Sequence, residues 1–356
     1  MLRPDPRQAL PGTHERATAP WVHGKPQPPH WHTHLIPKTP LAMLRFFTIR
    51  ISLTLITLLG VSLAIFAVME ILPGDVAQMM LKADATPERL ALVREELGLY
   101  RPAHVRYLDW VGGVIQGDLG VSYYIKQPIA EILPRRIFHS VVLALFALLF
   151  GIPVAIFSGV WAGIRPNSLW DRVVSTVSLV GISLPEFVTG VLLMFLLAST
   201  LHILPPSSYM MPGETPLSRP EILIMPAITL TGVLFAYIMR MTRANVIEVM
   251  QSQYVRTAVL KGIPLRRVIL RHVLPNAMLP TITIIAQNFG WMLGGLIIVE
   301  NVFAYPGLGQ MLLIAMRTQD VPLLEVLALL VTTTYVFSNL AADLAYAALD
   351  PRIRLT

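Results

Sequence analysis

Long apolar blocks, separated by short polar stretches, dominate this chain. Four of these blocks contain no Asp, Glu, Lys or Arg: 51–69, 140–164, 222–239 and 273–299. Two further blocks carry one acid and two acids respectively and are otherwise as apolar: 173–200 and 323–347. A helix of about 20 apolar residues crosses the roughly 30 Å hydrocarbon layer of a membrane. The pattern therefore predicts six transmembrane helices and an all-α membrane protein.

Charged residues alternate between the two sides of these predicted spans. The chain is 54% hydrophobic and only 14% charged, whereas a soluble domain carries nearly twice that charge. Residues 240–272 hold seven bases and one acid, while the 73–136 loop holds eight of each and the loops at 201–221 and 301–321 are neutral or slightly acidic. Because basic loops stay in the cytoplasm, we expect 240–272 and both termini inside and 73–136 outside. A net charge of +7 on its own would suggest a nucleic-acid partner, but the location of the bases in alternate loops explains it by orientation, and we expect no nucleic-acid partner.

The N-terminal residues 1–42 differ in kind from the remainder. They contain nine Pro and five His without apolar periodicity, so we expect a disordered extension, with Met43 as the natural start. His30, His32 and His34 could hold a metal weakly, but incidental composition explains them better, and we predict no metal site. The chain has no cysteine, which excludes disulfides and thiolate ligands.

The remaining chain divides into four predicted parts. The first transmembrane helix covers 43–72, and an external (periplasmic) subdomain covers 73–136. In that subdomain Thr86-Pro87-Glu88 begins a helix that stops at Gly98. A five-helix transmembrane core covers 137–347, and a cytoplasmic tail covers 348–356.

Two features within the predicted spans have local structural meaning. Pro185 lies near the middle of span three and predicts a kink, because it breaks the helical hydrogen-bond ladder. Two glycine pairs, Gly159 with Gly163 and Gly290 with Gly294, are each four residues apart, so each pair lies on one helix face and permits close contact with a neighbouring helix.

The loop between spans four and five carries the candidate functional residues. A short helix is predicted at about 248–262, in which Ala258 and Gly262 form a small-residue notch flanked by Arg256 and Lys261. From the residues alone, docking on anionic lipid and docking on a protein are equally good explanations of such a basic helix.

This loop resembles the EAA signature of bacterial ABC importer permeases, E-A-A-x3-G-x9-I-x-L-P. Aligned on Gly262, the signature places Arg256 on the Glu, Thr257 and Ala258 on the two Ala, and Leu274-Pro275 on the final L-P. His272 replaces the Ile. Five further strings resemble the dipeptide, oligopeptide and nickel permeases in particular: ILPGD at 71–75, GDLGVSY at 117–123, ISLP at 182–185, ENVFAYPGLG at 300–309 and LDPRIR at 349–354.

The resemblance, which runs from Met43 to the C-terminus, implies a six-helix importer permease in the bacterial inner membrane with a cytoplasmic coupling helix. It implies four kinds of partner besides membrane lipid: a second permease, two ATPase subunits and a periplasmic substrate-binding protein. ATPase docking is expected to involve Arg256, Thr257, Ala258, Lys261, Gly262, Leu274 and Pro275. The chain has no phosphate-binding G-x-x-x-x-G-K-[ST] string, so it binds no cofactor itself, and ATP and Mg²⁺ belong to the partner ATPases.

Polar residues inside the membrane are expensive and are expected to face protein or water. Gln287 and Asn288 lie near mid-span in helix five and are expected to line a translocation pathway. Glu186, next to Pro185, has either a pathway or a structural role. Glu300 and Asn301 lie at the external mouth, where we expect contact with a binding protein.

Small peptides are the expected substrate, with nickel or another small solute as alternatives. A secondary transporter acting alone is the main rival, although no inverted repeat is evident. An intramembrane enzyme is disfavoured, because the chain has no H-E-x-x-H or G-x-S-x-G string and no visible acid, base or nucleophile constellation.

Overall fold

The computed structural model describes residues 40–71, 76–81, 85–96, 98–211 and 213–349. The predictions for the N-terminal extension before residue 40 and for the tail after residue 349 lie outside the described residues. Within the described residues the chain forms helices and one isolated bridge, Val121 to Pro128, and contains no β-strand. The prediction of an all-α membrane protein is therefore confirmed.

Among the described residues before 117, the first transmembrane segment and the external subdomain form four helices: α1 (Pro40–Ile71), α2 (Val76–Leu81), α3 (Pro87–Glu96) and α4 (Ala103–Gln116). The expected helix after Thr86 is α3, which begins at Pro87 because proline is favoured in the first turn. α4 ends at Gly117 in a left-handed conformation, with φ of 85°.

In the part of the transmembrane core that the structure describes there are nine further helices and two π-helical turns. They run in the order α5 (Ile129–Ile164), α6 (Leu169–Ser183), α7 (Glu186–Leu193) with a π-helical turn (Met194–Thr200), α8 (Glu221–Met250), α9 (Gln253–Leu260), α10 (Leu265–Val268) with a second π-helical turn (Ile269–Val273), α11 (Leu274–Val302), α12 (Leu308–Thr318) and α13 (Val321–Leu349).

Four of the described helices are long and apolar enough to cross a membrane: Thr48–Ile71, Ile129–Ile164, Glu221–Met250 and Val321–Ala341. A fifth span results if α6 and α7 with its π-turn are counted together, although their axes differ by 117°. This break begins at Leu184–Pro185, so the kink expected at Pro185 is confirmed and is far sharper than a simple bend. The predicted fifth span, within the block 273–299, corresponds to the 29-residue α11, and the count of six spans stays a prediction.

α8 lies at the centre of the bundle and α1 at its edge. α8 packs against α5, α6, α7 and α11, while α1 packs mainly against α13. In the most apolar window of each helix, 67% of the α8 residues are buried within the chain but only 11% of the α1 residues. α1 therefore leaves most of its apolar surface to lipid, whereas α8 is a core helix on almost every face.

Glycines allow α5 and α8 to approach closely. A Cβ atom added at Gly159 would lie 2.6 Å from the carbonyl oxygen of Met239, and one at Gly163 would lie 2.7 Å from the Cβ of Val246. Both glycines therefore face α8 directly, as their spacing predicts. α8 continues beyond this contact into the loop that carries the candidate functional residues.

Candidate functional site

The candidate functional residues lie on the α9 segment, which we define as residues 251–264 between α8 and α10. α8 ends at Met250, Ser252 precedes the first turn of α9, and Pro264 precedes α10. The expected helix at 248–262 is thus two elements, because the chain turns at Gln251–Ser252 and α9 itself covers only Gln253–Leu260.

Gly262 ends the segment and lies outside the helix. Its φ of +76° is left-handed, its N–H donates to the carbonyl of Val259 at 2.9 Å, and the next N–H, of Ile263, donates to the carbonyl of Ala258 at 3.3 Å. This pair of bonds is a Schellman motif, which favours glycine because other residues are strained there. Gly262 is therefore required by a backbone turn, and the expected notch that it shares with Ala258 on one helix face is wrong.

Ala258 faces the protein interior. Together with Val255 it is buried in a cluster with Val246 of α8 and Val268 of α10, and the cluster also includes Val273 and Ala277. Since only 7% of Ala258 is exposed, its small side chain allows α9 to lie close to its own base and is not available to a partner.

The outward face of the α9 segment combines positive charge with apolar side chains. Arg256, Thr257 and Lys261 are exposed, as the signature implies. Leu260 is 79% exposed and Val259 49% exposed, and neither residue was predicted as part of the site. The sequence did contain the information needed to predict the exposure of Leu260. Val255 and Ala258 account for one apolar face of this short helix, which leaves Leu260 on the opposite side.

Leu274 and Pro275 lie at the start of α11, where Leu274 is half-buried and Pro275 exposed. They do not belong to α9, but α10, the second π-turn and α11 follow one another without a break in helical backbone. The structure therefore connects the α9 segment directly to α8 on one side and to α11 on the other.

Polar contacts fix the base beneath the α9 segment. Arg243 of α8 donates two hydrogen bonds to the buried carboxylate of Asp171 at the start of α6, at 2.5 and 2.9 Å. Asn245 donates to the carbonyl of Ala277 at 3.3 Å, and Thr242 bonds Thr281 at 3.2 Å. A bidentate ion pair and two interhelical bonds thus join α6, α8 and α11 at this end of the bundle.

Glu186, the first residue of α7, lies against α11, the helix that carries Asn288. A Cβ atom added at Gly295 would lie 2.7 Å from both carboxylate oxygens of Glu186, which are buried and have no hydrogen-bond partner among the described residues. Asn288 precedes Gly295 by seven residues, two helical turns or about 10 Å along the same face. Its side-chain amide donates to the carbonyl of Ile284 at 2.9 Å. The side chain of Gln287 lies outside the described residues.

Glu300 was expected at the external mouth in contact with a binding protein, but it does not lie on the surface. It is fully buried, and its carboxylate accepts hydrogen bonds from Ser140 Oγ at 2.5 Å and from the backbone N–H of Gly309 at 2.6 Å. Ser140 in turn accepts from the N–H of Leu308 at 2.8 Å. A surface contact between Glu300 and a binding protein does not fit this burial, because the carboxylate holds the 303–309 loop against α5 from within.

Residues around Glu300 complete this internal clamp. The hydroxyl of Tyr305 donates to the carbonyl of His139 at 2.7 Å, and burial together with the negative charge of Glu300 raises the pKa of Tyr305. Asn301 is half-buried and donates to the carbonyls of Ile297 and Gly309, at 2.7 and 3.1 Å. Part of Asn301 therefore remains accessible, unlike Glu300.

The chain matches one protein family over nearly all of its transmembrane length. Residues 151–355 match the binding-protein-dependent transport system inner membrane component, and residues 43–144 match the N-terminal part of the same membrane component.

Individual proteins similar to the chain carry names from peptide transport. A probable peptide ABC transporter permease protein of Sinorhizobium fredii is 33% identical over 305 residues, which are 86% of this chain and 97% of that protein. A glutathione transport system permease protein of Salmonella choleraesuis is 35% identical over 84% of this chain and 95% of its own length. A dipeptide transport system permease protein of Escherichia coli K12 is 34% identical over 88% and 99%.

Proposed function

The chain belongs to the family of binding-protein-dependent transport system inner membrane components, and from this premise we propose that it is the permease subunit of an ATP-driven importer of small peptides. Small peptides are favoured as cargo because the similar proteins are named for peptide, glutathione and dipeptide transport. The direction is inward, from the periplasm across the bacterial inner membrane, with both termini in the cytoplasm.

The exposed tip of the α9 segment is the single observation that carries this proposal. Leu260, Lys261 and Arg256 project from a base that is fixed by Val255 and Ala258 on the inside. An exposed leucine beside two bases suits a protein groove that is apolar at its centre and acidic at its rim. The proposed partner is therefore a cytoplasmic ATPase subunit.

ATP hydrolysis belongs to that partner in this proposal. The chain carries no G-x-x-x-x-G-K-[ST] string, so its own residues offer no phosphate-binding loop for ATP and Mg²⁺. Two ATPase subunits, a second permease and a periplasmic binding protein complete the proposed assembly. Arg256, Thr257, Lys261 and Leu260 make the contact, Gly262 shapes the turn beneath it, and Leu274-Pro275 continue the connection into α11.

The proposed translocation pathway follows the face of α11 that carries Asn288 and Gly295, with Glu186 opposite. The support is that Glu186 is a buried carboxylate without a partner among the described residues, at a broken helix inside the membrane. Such groups are costly and mark functional positions in membrane proteins. Gln287 belongs to the same proposal by its sequence position, and Asn301 remains the proposed contact for the binding protein.

The test replaces Leu260 in the tagged chain and purifies the assembly from its native membrane. Full burial of a leucine is worth about 1.5–3 kcal/mol, so Leu260→Ser is expected to weaken ATPase docking roughly 10- to 100-fold. The readout is the amount of P-loop ATPase and of ATP hydrolysis recovered per mole of chain. Leu217→Ser is the matched control, because Leu217 is 67% exposed on the loop before α8, at the other end of that helix from α9.

Equal recovery of the ATPase from Leu260→Ser and Leu217→Ser would contradict docking through α9. A chain that purifies alone, hydrolyses no ATP and still moves solute would instead be a secondary transporter.

A further inference from the structure

A polar cavity of about 370 Å³ lies away from the α9 segment, between α1, α4 and α13. Phe66 and Glu70 from the end of α1, Arg106 and Trp110 from α4, and Glu325 from α13 contribute to its wall. The cavity is thus built where the peripheral helix α1 and the external subdomain meet the transmembrane core. By the charge asymmetry of the loops, this is the external end of α1.

Aromatic rings and one ion pair hold the α1 side of the cavity to α4. Phe66 packs edge-on against Tyr107, with ring centroids 5.4 Å apart, and lies 6.4 Å from the ring of Trp110. Ser62 hydrogen-bonds the hydroxyl of Tyr107 at 2.9 Å, and Arg106 forms an ion pair with Glu70. These contacts hold the side chains on the α1 and α4 sides of the cavity in place, and two of these side chains, Phe66 and Trp110, are aromatic.

Glu325 differs from the other acids around this cavity. Glu70 pairs with Arg106, Asp109 pairs with Arg101 at 2.7 Å, and Asp118 accepts from the N–H of Gly120 at 3.0 Å. Glu325 is only 7% exposed and has no hydrogen-bond or ion-pair partner among the described residues. Arg106 is the base that acts on the charge of Glu325, but its guanidinium is already paired with Glu70. The wall as a whole carries four acids, Glu70, Asp109, Asp118 and Glu325, against two bases, Arg101 and Arg106. This surplus of negative charge favours a cationic ligand.

Two donors around the cavity also have no acceptor. The Nε1 atom of Trp110 and the Nε atom of Arg106 are buried without a hydrogen-bond partner among the described residues. Near Glu325, burial and the charges of Glu325 and Asp320 raise the pKa of Tyr123 to about 12, which keeps its hydroxyl a proton donor. The wall thus offers a surplus of negative charge together with several N–H and O–H donors.

We propose that this cavity binds a ligand with a primary ammonium group, held by the carboxylate of Glu325, and an acceptor oxygen that faces the donors of Trp110, Arg106 and Tyr123. The rings of Phe66 and Trp110 suit a cation, since aromatic faces attract ammonium groups. A metal ion fits less well, because the described residues contain no group of three His, Asp or Glu able to hold one.

Two sources can supply this chemistry: the N-terminus of a small peptide, and the phosphoethanolamine headgroup of phosphatidylethanolamine. Both carry a primary ammonium and an acceptor oxygen. The inference does not depend on transport, because binding is measured on the chain itself without ATP or an ATPase. Its failure would therefore leave the proposed permease function untouched, and failure of the α9 docking would leave this site untouched.

The experiment measures thermal unfolding of the full chain in nanodiscs. In the first arm, discs of phosphatidylcholine alone are titrated with the dipeptide Ala-Ala and with N-acetyl-Ala-Ala, which lacks the ammonium group. In the second arm, discs containing phosphatidylethanolamine are compared with discs of phosphatidylcholine alone. A ligand that binds only the folded protein raises the unfolding temperature as its concentration rises.

Glu325→Gln is the diagnostic variant, and Glu248→Gln is its control. The amide has nearly the same size and carries no buried charge, so the variant is expected to fold and to unfold at the same or a higher temperature without ligand. Binding is expected to weaken about 30-fold or more, because the ammonium loses its counter-ion. Glu248 is exposed on α8 beside the α9 segment, so its variant keeps the full response.

Stabilisation by Ala-Ala but not by N-acetyl-Ala-Ala, lost in Glu325→Gln, would establish a peptide amine as the ligand. Stabilisation by phosphatidylethanolamine alone, again lost in Glu325→Gln, would establish the headgroup. No stabilisation in either arm, or stabilisation that Glu325→Gln retains in full, would overturn the proposal.

Discussion

Gly159→Ala tests whether the contact between α5 and α8 depends on the absence of a side chain. The added methyl carbon would lie 2.6 Å from the carbonyl oxygen of Met239 and 2.7 Å from the Cβ of Thr242. Neither atom can rotate away, because one is backbone and the other is fixed to it. The two helices must therefore separate or α8 must shift.

Gly294→Ala on α11 is the matched control, because its new methyl would have no heavy atom within 4 Å. Both substitutions gain about 0.5–1 kcal/mol of helix propensity, which cancels in the comparison. Overpacking of a fixed contact costs about 1–3 kcal/mol. The free energy of unfolding of Gly159→Ala is therefore expected to be about 1–3 kcal/mol below that of Gly294→Ala.

The assay is reversible unfolding of the isolated chain in mixed micelles, followed by tryptophan fluorescence. The isolated chain is the proper sample, because a second permease could cover Gly294 in the assembly. If Gly159→Ala proves as stable as Gly294→Ala, the two helices are not in contact at this glycine and the central place of α8 is wrong.

Two other substitutions test the α9 turn and the Glu300 clamp. Gly262→Leu is expected to lower uptake roughly 5- to 30-fold with normal membrane insertion, because a non-glycine residue at φ of +76° costs about 1–2 kcal/mol. Gly262→Asn, which tolerates this conformation better, should keep most uptake. Equal uptake by both variants would refute the turn argument. Glu300→Gln is expected to lower the free energy of unfolding by about 1–3 kcal/mol. The reason is that the new amide nitrogen would face the N–H donors of Gly309 and Gln310 or the hydroxyl of Ser140. An unchanged free energy of unfolding would contradict the clamp.

The α9 segment shows which structural features a local sequence pattern can predict and which it cannot. The exposure of Arg256, Thr257 and Lys261 agrees with the signature, whereas the predicted helix at 248–262 begins five residues before α9 and ends two residues after it. The burial of Ala258 did not follow, because it depends on α10 and α11 returning beneath α9. The turn at Gly262 was readable, since a glycine followed by an apolar residue at a helix end is typical of a Schellman motif.

Glu300 and Glu325 show where single-sequence reasoning ends. Apolar periodicity placed Glu300 at the end of a span, but its burial depends on residues 307–309 folding back onto α5. Glu325 was counted only as one of two acids in span six. Its importance depends on α1 and α4 closing a cavity around it and on every neighbouring acid having another partner, which no spacing along the chain can reveal.

The two helices that leave the α9 segment also flank the broken α6–α7 helix. α8 is 30 residues long, about 45 Å, and its Gly232 carbonyl lies 3.3 Å from where a Cβ at Gly181 of α6 would be. α11 meets Glu186, the first residue of α7, at Gly295. Arg243 also joins α8 to the start of α6 through its ion pair with Asp171. A displacement of α9 that moves α8 and α11 therefore transmits force to both α6 and α7. The close glycine contact with α5 restricts bending of α8 itself. If α9 docks as proposed, we therefore expect the backbone to change conformation at the 117° break between α6 and α7, at Leu184–Pro185.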